Sequence, residues 1–440
     1  MFKFKAIETD SRKIKEGSLF VALKGEKFNG EDFAKEAVEK GAIGVVVSVD
    51  CPREKLPTKG LVLKVDDPLA TYQSFARACR GEFEIPVVAI TGSTGKTTTK
   101  DLTAAVFSEF GEVLKTTGNY NNEIGVPLTL LAMEKGRTAA AVIEIGMRGL
   151  GQIKSLAKIV NPTIGIVTNV NETHIELLGS IENIAKAKSE LVESIEEGAV
   201  VLNADDDRVY QMREKAHEGV KVITYGFSER ADVRGFNVIQ NDGHMDFVVK
   251  YGDEKENCQL QLLGEHNVLN ALAAIGAGIA AGLTLNRACA HFSDLAMTKG
   301  RFELKQVGGL KFIDDTYNAS PASMRAAIVN TSKIAEKHQN KIAVLGGMLE
   351  LGEHAEKLHK QVGREVFEND FAYLITCGEL AKFIADGARE AGMSSEKVFS
   401  ADTQEKTVEF LKSVAHDGDI VLLKGSRGFK MERVLEIMNN

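Results

Sequence analysis

The apolar run Pro86-Val87-Val88-Ala89-Ile90 leads without a break into Thr91-Gly92-Ser93-Thr94-Gly95-Lys96-Thr97-Thr98-Thr99. A buried strand, a glycine-rich turn and a helix start are thereby set in line. A strand that is apolar on both faces needs cover on both, so this unit belongs in a parallel sheet with helices above and below. The turn also states a chemistry. Gly92 and Gly95, with Ser93 and Thr94 beside them, let backbone N–H groups converge on a phosphate; Lys96 reaches the outer phosphates, and Thr97, followed by Thr98, offers a hydroxyl to Mg²⁺. The usual GxxxxGK[ST] pattern needs a glycine where Ile90 stands, so the chain carries the shorter TGSTGKT form. A turn that is merely rich in glycine is the competing reading, and strand, turn, lysine and paired hydroxyls together favour the phosphate cradle.

At 440 residues the chain is long enough for two to four domains. Its net charge of −8 and the mixing of basic with acidic residues exclude a nucleic-acid stripe. The five cysteines, Cys51, Cys79, Cys258, Cys289 and Cys377, are scattered with no CxxC pair, as expected of reduced thiols. The start, Met1 to Lys5, has no apolar signal core. The longest apolar stretch, Ala271 to Leu283, falls short of the ~20 residues of a membrane span. No membrane span and a cytoplasmic location are therefore expected.

Three α/β domains are predicted, with boundaries 1–84, 85–299 and 300–440. The first has short strands at Val45-Val46-Val47 and Leu61-Val62-Leu63. In the second, Val87 to Ile90, Ala140 to Ile145, Ile164 to Thr168 and Ala199 to Leu202 alternate with helical patterns. A more polar stretch from Asp232 to Leu263 reads as antiparallel strands, ahead of a helix near His266. In the third, strands at Lys311 to Asp314, Ile342 to Leu345, Tyr373 to Thr376 and Ile420 to Leu423 alternate with segments such as Ala355 to Glu368.

Candidate ligands cluster at predicted strand ends, where an open α/β sheet presents groups to what it binds. Glu144 ends one strand and His174 follows another. Lys188, in Ala185-Lys186-Ala187-Lys188-Ser189-Glu190, reads by helical pattern alone as an ordinary surface position. Asn267 and Asn270 open an Ala/Gly-rich helix, where they cap it or hydrogen-bond a base. Arg301 stands at a domain junction, within reach of a phosphate. Asp315, Tyr317, Asn318 and Ser320 lie between a strand and a Pro-started helix, which also reads as an N-capped turn. Lys424, Ser426 and Arg427 follow another strand and suit a carboxylate or a solvated loop equally.

These segments together carry a family resemblance over nearly the whole chain. TGSTGKTTTK at 91–100, TTGNYNNEIGVPLTLL at 116–131, EIG at 144–146, TNVNETHIELLGSIENIAKAKSEL at 168–191, GEHNVLNALAA at 264–274, GRFE at 300–303, DDTYNASPASM at 314–324 and LLKGSR at 422–427 resemble the Mur ligases. GNYNNEIG and DDTYNASP are similar to the branch that joins D-alanyl-D-alanine to UDP-N-acetylmuramoyl-tripeptide (UDP-MurNAc-tripeptide). The DNPR-type motif of diaminopimelate-adding relatives is absent.

The resemblance implies a UDP-MurNAc-peptide-binding domain at 1–84, a central P-loop ATPase domain at 85–299, and a Rossmann-like domain at 300–440 that binds the incoming dipeptide. It implies ATP as co-substrate, Mg²⁺ held by Thr97, Glu144, His174 and a CO₂-derived carbamate on Lys188, and catalysis by Lys96, Glu144, His174 and Lys188. Asn267, Asn270, Arg301 and Asp315 match the family's nucleotide contacts. Ser11 and Arg12, with the Lys24 to Gly30 loop, match the nucleotide-sugar region; Asn119, Asn121 and Asn122 match the central substrate loop. Tyr317, Asn318, Ser320, Lys424, Ser426 and Arg427 match the acceptor side. The chain departs from the family in three places: Asn29-Gly30-Glu31-Asp32-Phe33 replaces Asp-Gly-His-Asp-Phe, the leading helix is nearly missing, and Asn171 and Thr173 replace Gly and Ala. The expected reaction is amide ligation through an acyl phosphate by a monomer. The alternatives are a single-amino-acid-adding or folylpolyglutamate synthetase-like ligase, or a nucleotide-binding protein with a decayed site.

Overall fold

Three separate sheets, in sequence order, carry the chain from a small parallel sheet through a large mixed one to a second Rossmann-like sheet. The computed structural model describes residues 4–25, 28–241, 243–293, 295 and 297–439. Met1 to Lys3 of the N-terminal stretch and Glu26 and Lys27 of the Lys24 to Gly30 loop lie outside them.

The first sheet pairs Ala6–Glu8, Ser18–Val21, Gly44–Ser48 and Leu61–Val65, all parallel and in that order. The departure at Glu31 has a structural use here. Its carboxylate accepts from Ser48 N–H at 3.1 Å, fastening the Asn29–Phe33 turn to the neighbouring strand.

The second sheet has nine strands, in the order Glu254–Leu260, Met245–Tyr251, Val233–Gln240, Lys221–Gly226, Ala199–Asn203, Ile164–Val167, Val87–Thr91, Thr138–Glu144 and Glu112–Lys115. The last seven run parallel, and antiparallel pairs occupy the polar 233–260 end. Alternation along the strands separates the two faces. Val88, Ile90, Val142 and Ile166 pack under the helices Lys96–Phe107 and Glu265–Ala280. Val87, Ala89, Ile143 and Val167 pack under Gln152–Val160 and Ile181–Glu193. Each such fully buried Val or Ile side chain contributes about 1.5–3 kcal/mol, which accounts for the unbroken apolar runs. The third sheet, in the order Glu303–Val307, Leu310–Asp315, Ile420–Lys424, Lys341–Gly346, Tyr373–Cys377 and Val398–Ala401, is parallel except for its first strand.

All five cysteines are free thiols. Among the described residues no helix is long and apolar enough to cross a membrane.

Candidate active site

The cradle forms because two positions tolerate only glycine. Gly92 has φ +152° and a Cβ there would lie 1.8 Å from Thr168 Oγ1; Gly95 has φ +79° and its Cβ would lie 2.6 Å from Asn270 Oδ1. The turn is then fastened to the next strand end. Thr168 Oγ1 donates to Thr94 O at 2.6 Å, and Asn169 Oδ1 accepts from the Thr94 amide at 2.9 Å and its hydroxyl at 3.1 Å. Lys96 Nζ donates to the carbonyls of Gly92 at 2.8 Å and Ser93 at 3.3 Å. Burial lowers its pKa, which Glu144 opposes and Arg301 reinforces.

Glu144 ends its strand almost fully buried, between two donors: Thr97 Oγ1 at 2.9 Å and Asn121 Nδ2 at 2.7 Å. Gly146 lets Asn121 approach, since a Cβ there would sit 2.9 Å from Asn121 Oδ1. Asn122 Oδ1 accepts from Gly125 N–H at 2.9 Å and shapes the same loop, which also carries Asn119.

Lys188 contradicts the surface reading that helical pattern alone favours: it is 1% exposed. The helix Ile181–Glu193 turns it inward, and burial together with the nearby Lys96 charge pushes its pKa well below the ordinary lysine value. Loss of hydration disfavours the charged form of the amine at that position. His174 adopts a left-handed backbone, φ 67°, at the start of the short helix Ile175–Leu178; its Nδ1 lies 2.6 Å from Glu350 Oε2 of the C-terminal domain.

At the start of the helix Glu265–Ala280, Asn270 Oδ1 accepts from Thr99 Oγ1 at 3.2 Å, and Asn267 Nδ2 donates to Leu263 O at 2.8 Å. Both asparagines are buried, so they serve the helix start and face the cleft together.

The opposite wall comes from the third sheet. Arg301 Nη2 donates to Thr97 Oγ1 at 2.9 Å, its guanidinium lies 4.0 Å from the Tyr317 ring centre, and its buried Nε has no hydrogen-bond partner among the described residues. Asp315 is held by Lys424 Nζ at 2.5 Å, which also donates to Asn318 O at 2.9 Å. Ser320 caps the helix Pro321–Ile334 in a reciprocal capping box, so the turn reading and the wall position both hold. Ser426 spends its hydroxyl on structure, donating to Ala319 O at 3.2 Å and accepting from Leu349 N–H at 3.1 Å. Arg427 sits 6.0 Å from the Tyr317 ring centre and pairs with Glu432 at 3.0 Å.

Between the walls lies a cleft of about 970 Å³. It brings together the Ser93–Thr98 cradle, Asn119, Asn121, Asn122, Glu144, His174, Asn267, Asn270, Arg301, Asp315, Tyr317, Asn318, Ser320 and Lys424. Ser426, which is buried, and Arg427, which is largely exposed, do not line it. Ser11 and Arg12 are not in the cleft: they lie in the short turn Ser11–Lys13 that follows the strand Ala6–Glu8, where Arg12, its side chain 83% exposed, bonds back to Asp10. Thr168, Asn169, His266 and Glu350 are further participants that sequence motifs left unassigned. Asn169 alone had a local signal, as the polar residue ending an apolar strand.

The cradle that a Cβ would fill, the half-buried Lys96 and the unpartnered Arg301 Nε fit a polyphosphate. No cluster of three or more His, Cys, Asp or Glu side chains is gathered for a metal among the described residues.

Three family descriptions match the chain in succession: "Mur ligase family, catalytic domain" over residues 3–78, "Mur ligase middle domain" over 90–278, and "Mur ligase, glutamate ligase domain" over 300–427. The UDP-N-acetylmuramoyl-tripeptide--D-alanyl-D-alanine ligase of Bacillus subtilis is 38% identical over 98% of this chain and 92% of its own length. A crystal structure of MurF from Acinetobacter baumannii superposes with a TM-score of 0.89 at 30% identity, covering 99% of this chain and 93% of that one. MurF from Thermotoga maritima in complex with ADP gives 0.86 at 28% identity, over 99% and 97%. With cradle, cleft and all three domain matches in agreement, the chain belongs to the Mur ligase family.

Proposed function

We propose that this chain joins D-alanyl-D-alanine to UDP-MurNAc-tripeptide in an ATP-driven reaction of peptidoglycan synthesis. The observation that carries it is one cleft in which Lys96 and the Thr97–Glu144 pair face Arg301 and Asp315 from another domain. The full-length relatives, UDP-N-acetylmuramoyl-tripeptide--D-alanyl-D-alanine ligases, supply the substrates.

A peptide carboxylate at neutral pH is a poor electrophile. Transfer of the γ-phosphoryl group to its oxygen makes an acyl phosphate, and attack by the dipeptide amine on that carbonyl forms the amide and expels phosphate. Lys96, Arg301 and the cradle amides offset the charge that develops on the transferring phosphoryl group. Thr97, Glu144 and His174 would hold Mg²⁺, which supplies charge neutralisation there. The depressed pKa of Lys188 supports its carbamylation: a neutral amine adds CO₂, loses a proton, and becomes an anionic oxygen ligand where a second ammonium beside Lys96 would repel a cation. Asn267 and Asn270 then face the base. Ser11 and Arg12, in the turn between the first two strands of the first sheet, with Asn119, Asn121 and Asn122, hold the UDP-MurNAc-peptide, while Tyr317, Asn318, Ser320, Lys424, Ser426 and Arg427 serve the acceptor side. Both walls come from one chain, so a monomer suffices. We assign the reaction, which consumes ATP and a UDP-linked precursor, to the cytoplasm.

A phosphate-release panel crossing UDP-MurNAc-peptides with D-alanyl-D-alanine and with single amino acids tests this reading. Release with tripeptide plus dipeptide alone supports it. Release driven by a single amino acid overturns it.

A further inference from the structure

Asp101 has no part in the chemistry above, yet it is 3% exposed and carries four contacts. Its Oδ2 accepts from both the amide of Thr298 at 3.0 Å and the Thr298 hydroxyl at 2.8 Å. Its Oδ1 accepts from Lys115 Nζ at 2.7 Å and lies 3.2 Å from Lys100 Nζ. Burial pushes its carboxyl up, and the two lysines together with the Thr298 hydrogen bond outweigh that and leave it below the usual range. Thr298 belongs to the strap that joins the central sheet to the third sheet, three residues before Arg301.

Thr97 and Asp101 are four residues apart on the helix Lys96–Phe107, so they share one face, one turn apart. Their partners, Arg301 and Thr298, are three residues apart on the strap. The two contacts thus form rungs of a ladder, one at the phosphate cradle and one a turn further along the same helix. From a fixed Thr298, three extended residues can carry the Arg301 backbone at most about 11 Å. The inner rung therefore bounds where the guanidinium can be presented.

We infer that Asp101 is a positioning residue that clamps the interdomain strap at Thr298 and thereby sets Arg301 against the cradle. The inference rests on the ligase reading for its kinetic consequence and on geometry alone for the clamp.

The test uses the whole chain carrying Asp101→Ala or Thr298→Val, the second being an isosteric change that removes one of the two donors and spares the buried carboxylate. The first readout needs no ligand. Lys299, exposed beside Thr298, is a trypsin site, and cleavage there should speed up by about tenfold in Asp101→Ala and a few-fold in Thr298→Val as the local structure loosens. The second readout is phosphate release. Asp101→Ala should lower kcat by about 10- to 100-fold, the scale of a small misplacement, with the KM for ATP little changed. On an Arg301→Ala background it should lower kcat no further, because it acts through that arginine. A multiplicative loss on that background, or unchanged trypsin cleavage in Thr298→Val, overturns the clamp. If the parent chain releases no phosphate with tripeptide and dipeptide, the ligase reading has failed, and the trypsin rates alone decide the clamp.

Discussion

On the central wall of the cleft, the polar groups are tied to one another within one domain: Thr94 to Thr168 and Asn169, Glu144 to Thr97 and Asn121, Asn270 to Thr99. On the C-terminal wall, Asp315 and Lys424 are similarly tied, and reach across to the first wall comes from a few long side chains: Arg301 on Thr97, Glu350 on His174, Asn330 on His266 and Lys333 on Glu265. The first wall owes its shape to backbone geometry, including two glycines that no other residue can replace. The second owes its placement to side chains that bridge domains. Damage to the first should remove the phosphoryl chemistry itself, and damage to the second should degrade alignment.

The sharpest way to break that contrast is Lys96→Ala. Losing one charge contact to the developing phosphoryl charge costs ~3 kcal/mol or more, so phosphate release should fall by at least about 100-fold while the thermal midpoint stays near the parent's. Turnover within a few-fold of the parent would remove the cradle from the mechanism. Lys188→Ala should be nearly inactive too, and partly rescued by millimolar formate or acetate, which restores an anionic oxygen in the vacated place. Lys188→Arg should be dead and refractory to rescue, because a guanidinium keeps the positive charge and forms no such adduct; an active Arg variant returns Lys188 to a packing role.

A smaller effect is expected at the seam between the walls. His266 is half-buried at the cleft, and desolvation together with the Lys424 charge, opposed by Asp315 and Glu265, brings its pKa down to about 4. Its Nδ1 faces the Asn330 amide at 3.0 Å, an arrangement that suits the neutral ring. An unfolded histidine titrates near 6.5, so the unfolded chain takes up a proton that the folded chain refuses. The stabilisation is complete above that pH and is lost progressively as pH falls towards 4, by about 3 kcal/mol in all. Urea unfolding from pH 7 to 4.5 should show this slope in the parent, and His266→Gln, which keeps an acceptor for Asn330, should flatten it. An unchanged slope would assign the acid sensitivity elsewhere.

Much of this molecule is legible from local pattern. The strands Val87–Thr91, Ile342 within Lys341–Gly346, and Ile420–Lys424 are continuous apolar runs because both their faces are covered, and the cradle is legible because its glycines and lysine are adjacent in the chain. Ser18–Val21 and Lys221–Gly226 escape such reading: the first is short, and the second mixes polar residues into a strand. Lys188 is illegible for a different reason. A lysine in a helical pattern reads as solvated, and only the sheet packed against that helix shows it facing Lys96. Asp101, Glu350 and His266 are illegible because Thr298, His174 and Asn330 lie far away in the chain, and no local spacing encodes a contact that closes only when such distant segments are brought together. The family resemblance reaches Lys188 and the cleft, and leaves the strap untouched.

The most direct measurement of the contrast between the walls is calorimetric titration of the whole chain with ADP, for the parent, Lys96→Ala and Arg301→Ala, set beside their phosphate-release rates. If the central wall is complete in itself, Lys96→Ala loses ADP binding along with turnover, whereas Arg301→Ala keeps ADP affinity within about tenfold while its turnover drops by about 10- to 100-fold. Loss of ADP binding in Arg301→Ala with retention in Lys96→Ala would contradict the account, since it would make the bridging arginine, and not the cradle, the element that holds the nucleotide.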